Sequence, residues 1–434
     1  MPLRAIILTV CLQGASDQIM QKLPVGKSSL LLVISVAVAL LASALLYIQS
    51  GRAKPGIKIG VLHSLSGTMA ASETPLVDAL RLAVEEANQS GGVNGQPIEM
   101  IVADCRSDAA YCAQQAEKLI TTDGVRSLFG CWTSACRKAV KTVVEKHHHL
   151  LFYPLQYEGL EQSHDIIYTG AAPNQQIIPM ALWALRNQGK RFYLIGSDNI
   201  FPRTANLMAK DVLLAQGGQL LGERYLQLGS SDMTAAVKEI AALQPDFVLN
   251  TLNTGNNLHF FRALQEAGIS SAKVPVFSTR ISEVTLAAIG AELTAGHYAA
   301  WNYFQSLDSA ENKSFVARFK QRFGRNRVLD DPMEASYIGV KLWIEAVRSQ
   351  SSTDMALIKT TLAQQTLIAP EGIVAVDYET RHLWKKVYIG KARADGQFEI
   401  VWHSAQPIHP APFPFYRSRA EWLEVQQALP GAGP

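Results

Sequence analysis

Charged residues are sparse in this 434-residue chain: Asp, Glu, Lys and Arg make up 18% of it and sum to a net charge of +3. No run of like charge stands out, which excludes the concentrated basic face of a nucleic-acid binder. The chain is not a disordered one either, since 48% of it is apolar, enough for real cores. Catalytic signatures are absent. There is no G-x-S-x-G elbow, no G-x-G-x-x-G follows a strand, and Gly92-Val93-Asn94-Gly95 lacks the Lys-Ser/Thr of a phosphate loop. The chain is therefore read as a non-enzyme with no cofactor. Metal-ligand patterns are missing as well. Cys131-x4-Cys136 has no second pair at zinc-ribbon spacing, and the adjacent His147, His148 and His149 cannot converge on one ion from a helix end.

Among the features present, the N-terminus comes first. Residues 29–48 carry no charge, and at about 1.5 Å per residue a helix of that length spans a bilayer core. Lys22 and Lys27 precede the run, which orients the C-terminal bulk outward. Residues 1–54 are read as a signal peptide, cut after Ala42-Ser43-Ala44, or as an uncleaved signal anchor, with Met20 an alternative start. Both readings place the remainder outside the cytoplasm. Four of the five cysteines, Cys105, Cys112, Cys131 and Cys136, lie in that exported part, where disulfides are expected. Spacing alone leaves three pairings open.

From residue 57 the pattern alternates strand and helix. Strands are predicted at 57–64, 97–104, 125–131 and 149–154, each followed or preceded by an amphipathic helix. After Gly170-Ala171-Ala172-Pro173 the pattern restarts, with strands at 191–198, 219–227, 246–252 and 275–280. Later strands follow, joined at turns such as Asp395-Gly396. Two doubly wound α/β lobes are predicted, with a ligand cleft at the carboxyl ends of their strands. The strand ends carry polar and aromatic groups, most of them neutral, including Trp132, Ser134, Tyr153, Asp198, Asn199 and Trp301. Hydroxyls, helix-start N–H groups and flat rings suit a small neutral solute such as urea.

Several segments together resemble the urea-type substrate-binding proteins of ABC transporters: GVLHSLSGTMAASETPL (60–76), FGCWTSACRKAV (129–140), LLFYPLQYEGLEQS (150–163), GSDNIFPRTAN (196–206), AAWNYFQSLD (299–308) and DDPMEASYIG (330–339). The cytoplasmic amide sensor that regulates aliphatic amidase is similar too. The resemblance implies a type I periplasmic-binding fold with three hinge crossovers, near 170–174, 300–305 and 366–370. Lobe 1 would take 57–173 plus about 301–367 and lobe 2 would take 174–300 plus about 368–410, leaving 411–434 as an irregular proline-rich tail.

The same resemblance implies function. The chain would capture urea or a short amide and hand it to an ABC permease in the cytoplasmic membrane; the alternative is an anchored sensor for amides or amino acids that signals through a separate partner. By likeness, Trp132, Ser134, Tyr153, Ser72 and Glu73 would touch the ligand from lobe 1, with Asp198 and Asn199 facing them from lobe 2. Asn199 departs from the family, which has a tyrosine there. Likeness to amino-acid-binding members implies a Cys105–Cys131 disulfide, leaving Cys112 with Cys136.

Overall fold

The computed structural model describes residues 34–41 and 55–428. Residues 34–41 are helical and belong to a unit (1–55) separate from the body at 56–434. Among the described residues no helix is long and apolar enough to cross a membrane. The rest of the 29–48 run and the Ala42-Ser43-Ala44 sequence lie outside the described residues.

The body opens with a parallel sheet. Strands β1 (Ile57–His63), β2 (Ile98–Asp104), β3 (Leu128–Gly130), β4 (Leu151–Tyr153) and β5 (Ile166–Tyr168) lie in the order β2-β1-β3-β4-β5. Helices α1 (Ala70–Gln89), α2 (Ala109–Thr121) and α3 (Ser134–Lys146) connect the first four. Every neighbouring pair is parallel, as crossover connections require. The run Ile59, Val61, Leu62 is buried because helices cover both faces of such a sheet. β5 was not predicted: no helix separates it from β4, so it falls outside the strand–helix alternation.

After α4 (Ile177–Asn187) a second sheet repeats that order. β6 (Arg191–Ser197), β7 (Gln219–Leu226), β8 (Phe247–Thr251), β9 (Val276–Ser278) and β10 (Tyr298–Trp301) run β7-β6-β8-β9-β10, all parallel. Helices α5 (Ile200–Ala215), α6 (Thr234–Leu243), α7 (Thr254–Glu266), α8 (Glu283–Ile289) and α9 (Ala291–Thr294) lie between them. Along β6 the side chains alternate between two cores: Phe192 and Leu194 join one, Tyr193 and Ile195 the other.

The chain then returns to the first lobe through α10 (Ala310–Phe323), α11 (Asp331–Gln350) and α12 (Met355–Leu362). An antiparallel sheet of β11 (Thr366–Ala369), β12 (Gly372–Val376) and β13 (Leu383–Trp384) follows. Ala369, Val374, Val376 and Leu383 pack in the same core as β1. The third crossover therefore falls between Trp384 and Tyr388, not at the expected 366–370. β14 (Tyr388–Ala392) and β15 (Phe398–His403) then extend the second sheet antiparallel. The proline-rich tail is not irregular throughout: its described part includes helix α13 (Arg419–Ala428), anchored by the fully buried Trp422.

One side chain ties the three crossovers together. The Asn302 amide donates to the carbonyl of Gln175 at 3.1 Å and to that of Lys386 at 2.7 Å. The Asp331 carboxylate accepts from the backbone N–H of Asn302 and of Tyr303, each at 2.9 Å. Lys385 Nζ donates to the carbonyl of Thr169 at 2.7 Å and pairs with Glu371 at 3.1 Å.

The disulfides differ from the implied pairing. They join Cys105 to Cys112 and Cys131 to Cys136, across Cα separations of 4.5 and 5.6 Å. Each closes a local turn, where β2 runs into α2 and where β3 runs into α3. Cys112 Sγ nevertheless lies 3.3 Å from Cys136 Sγ, so all four sulfurs share one buried cluster.

Candidate ligand-binding cleft

A narrow cavity of about 50 Å³ lies where the carboxyl ends of the two sheets meet. Lobe 1 contributes Ser72, Trp132, Gln156 and Asp330, and lobe 2 contributes Arg280, Ser282 and Trp301. The lobes touch around it. Gln156 Nε2 donates to the Thr279 carbonyl at 3.1 Å, and Ser282 Oγ donates to Asp330 Oδ2 at 2.7 Å.

The lobe 1 wall follows from a tight strand-to-helix turn. At Gly130 (φ 143°) a Cβ would stand 2.0 Å from the Leu62 carbonyl oxygen, so only glycine lets β3 lie this close to β1. The next residue, Cys131, donates its N–H to that same carbonyl at 2.8 Å. Thr133 then caps α3, its hydroxyl accepting from the Cys136 N–H at 3.1 Å. Trp132 projects from this turn against the cavity, half-buried.

The expected site residues divide into three groups. Ser72 and Trp132 line the cavity. Ser134, Tyr153 and Glu73 are buried and engaged inside lobe 1. Ser134 Oγ donates to Glu158 Oε2 at 2.6 Å, and the Tyr153 hydroxyl donates to the Trp132 carbonyl at 2.9 Å. Burial pushes the Tyr153 hydroxyl up to about 12. Glu73 Oε2 lies 2.9 Å from both His63 Nδ1 and the Ser64 N–H, tying α1 to the end of β1. Asp198 and Asn199 stand outside the cavity lining: Asp198 is exposed and pairs with Arg203 at 2.5 Å, and Asn199 begins α5.

Behind the Trp132 turn sits an ion network. Arg137, fully buried, donates from Nη2 to Glu158 and from Nε to Glu161, each at 2.9 Å. Its guanidinium lies 4.5 Å from the Tyr157 ring centroid. Burial works to discharge it, but Glu161 and Glu158 outweigh burial and hold its pKa well above the usual arginine value. Glu161 also accepts from the Tyr168 hydroxyl at 2.8 Å. Among the three histidines, His147 bonds Glu117 at 2.8 Å and His149 bonds the Val125 carbonyl at 3.0 Å, so their rings serve separate partners.

The residue that sequence reasoning missed is Arg280. It follows β9 and lines the cavity with only 7% of its surface exposed. Its guanidinium stacks 4.3 Å over the Phe201 ring. Nε and Nη1 are buried without a hydrogen-bond partner, and no ion pair among the described residues includes Arg280. Burial pushes its pKa down to about 10, with Tyr153 and Glu158 opposing. Gln156 Oε1 is likewise buried without a partner. A signal was present: Arg280 closes the predicted strand 275–280, where a charge at a carboxyl end faces the cleft.

The family profile described as "Periplasmic binding protein domain" matches residues 57–419. Leu/Ile/Val-binding protein homolog 6 of Brucella melitensis is 23% identical over 347 residues, covering 78% of this chain and 88% of that relative. A limonene hydroxylase of Geobacillus stearothermophilus is 40% identical over 124 residues, which is 29% of this chain and only 23% of that relative. Among solved structures, a solute binding protein of an ABC transporter from Rhodopseudomonas palustris HaA2, in complex with p-hydroxybenzoic acid, superposes with a TM-score of 0.75 at 24% identity, covering 82% of this chain and 98% of that one. A branched-chain amino acid transporter substrate binding protein from Streptococcus pneumoniae, in complex with isoleucine, gives 0.72 at 19% identity over 80% of this chain and 99% of that one. These structural likenesses establish the fold. Two repeated sheets, a cleft between them and a match that spans nearly all of the described body lead to one assignment: this chain belongs to the periplasmic binding protein domain family.

Proposed function

We propose that this protein is the extracytoplasmic solute-binding component of an ABC transporter, capturing a small planar solute between its lobes and presenting the closed form to a membrane permease. The observation that carries the reading is the cavity itself, walled by both lobes at the carboxyl ends of their sheets. The Asn302 knot keeps the three crossovers together while the lobes rotate about them. The Ser134 hydroxyl donates to Glu158 and accepts from Arg137 inside lobe 1.

Urea or a short amide is the solute that the sequence resemblance implies, and the cavity offers groups that fit one. Arg280 N–H groups suit the carbonyl oxygen, Gln156 Oε1 suits an NH₂ group, and the Trp132 and Trp301 rings flank the space. The relatives in complex with p-hydroxybenzoic acid and isoleucine put carboxylates in the same test. The test is isothermal titration of the purified protein with urea, acetamide, benzoate and isoleucine, joined to small-angle scattering. A saturable one-to-one isotherm with ligand-linked compaction, weakened by Trp132→Ala, is expected. If no solute of the panel binds and the scattering curve stays unchanged, the reading fails.

A further inference from the structure

We infer that the cleft is built for a solute bearing a carboxylate, which supplies Arg280 with the counter-charge that the protein itself withholds. The inference rests on reading the cleft as the solute site and names the chemistry of its head group. Arg280 is a cation almost removed from water, with Nε and Nη1 donating to nothing. A buried charge without partners is strongly unfavourable in a finished fold, so it persists where something arrives to complete it. The two nearby carboxylates are already committed. Glu158 accepts from Arg137 and Ser134, and Asp330 accepts from the Ser282 hydroxyl and from the Met333 N–H at the start of α11. Burial lowers the Arg280 pKa only to about 10, so the side chain stays charged at neutral pH.

The rest of the lining selects among anions. Trp132, Val284, Trp301 and Pro332 present apolar surface around the arginine. Sulfate or phosphate would leave oxygens facing those walls without donors. A carboxylate concentrates its acceptors at one end and lets an apolar body occupy the walls. A planar guanidinium matches a planar carboxylate, and charge-assisted bonds of this kind are about twice as strong as neutral ones.

Isosteric pairs test the inference: acetate against acetamide and benzoate against benzamide, with sulfate as a further probe, titrated into the purified protein. The carboxylate of a pair is expected to bind at least about tenfold more tightly than its amide, with sulfate silent. Arg280→Met is expected to abolish that preference, and Arg280→Lys to retain part of it. The ligand-free Arg280→Met protein is expected to melt no lower than wild type, because the change removes an unpaired buried charge. Equal or tighter binding of the amides, unaffected by Arg280→Met, overturns the carboxylate assignment and leaves the cleft as the solute site. Tight sulfate binding, or a lower melting temperature for ligand-free Arg280→Met, also overturns it. If no member of any pair binds, the reading of the cleft falls with it.

Discussion

Each lobe buries an arginine beside the cleft, and the two have opposite surroundings. Arg137 in lobe 1 meets two carboxylates and a tyrosine ring. Arg280 in lobe 2 meets the Phe201 ring, and its Nε and Nη1 have no partner. The electrostatics follow: Glu161 and Glu158 hold Arg137 charged despite its burial, whereas burial pulls Arg280 down to about 10. The first arginine fixes the turn that carries Trp132. The second is left incomplete, which is how a preorganised binding group differs from a structural one. Buried charge is thus a structural element when its partners come from the chain and a functional one when they do not.

The largest expected effect breaks the paired side of this comparison. Arg137→Met strands Glu158 and Glu161 without their cation, and a loss of about 3–5 kcal/mol in chemical denaturation is expected. Arg280→Met, by contrast, should cost no stability. Equal destabilisation by the two substitutions would erase the distinction.

A smaller effect comes from Asp330, on the lobe 1 side of the cavity. Burial pushes its pKa from 3.8 up to about 6, although the Ser282 hydroxyl and the Met333 N–H favour the charged form. Between about pH 4 and pH 6 the folded protein therefore holds a proton that the unfolded chain has released. Stability should be fully present below about pH 4 and should fall as pH rises through 6, by up to roughly 3 kcal/mol. Denaturation midpoints across that range measure it, and Asp330→Asn should flatten this part of the profile.

Ser134 sharpens the comparison further. Its hydroxyl serves Glu158 within the Arg137 network. Ser134→Ala should therefore cost about 1–2 kcal/mol of stability and shift ligand affinity less than Arg280→Met does. A variant with wild-type stability and lost binding would return Ser134 to the ligand. The least perturbing measurement is a non-reducing tryptic map. Residues 127–137 should emerge as one peptide carrying an internal Cys131–Cys136 bond, separate from the fragments joined by Cys105–Cys112. Cross-linking of 127–137 to those fragments would favour the alternative pairings, among them Cys112–Cys136, whose sulfurs lie 3.3 Å apart.

Long buried strands were readable because continuous apolar runs such as 57–63 and 191–197 have a single interpretation between helices. β5 and β10 were missed; β5 follows β4 with no helix between them and so stands outside the alternation that revealed the equally short β3, β4 and β9. The third crossover was placed too early because 366–384 reads as a strand pair without saying which sheet it joins. Of the expected site residues, Ser72 and Trp132 were named from the family likeness; Ser72 lines the cavity from the first turn of α1 and Trp132 from the turn after β3. Ser134 and Tyr153 were found as cleft-side polar groups, but their hydroxyls turn inward to Glu158 and the Trp132 carbonyl.

By itself, the sequence determined the repeated strand–helix alternation and the parallel part of each main sheet, since both depend on local pattern; the antiparallel β14 and β15 that make the second sheet mixed were left unassigned to a sheet. Tertiary structure decided which cysteines pair, where the third crossover runs and which of two arginines lacks a partner. The cysteines that pair lie only seven and five residues apart, but all four sulfurs share one buried cluster and packing selects among them. The other two features depend on groups that meet across long stretches of chain, as Gln156 meets Thr279 at a separation of 123. Partners brought together by packing leave no local periodicity to read, and for Arg280 the informative fact is the carboxylate that packing does not provide.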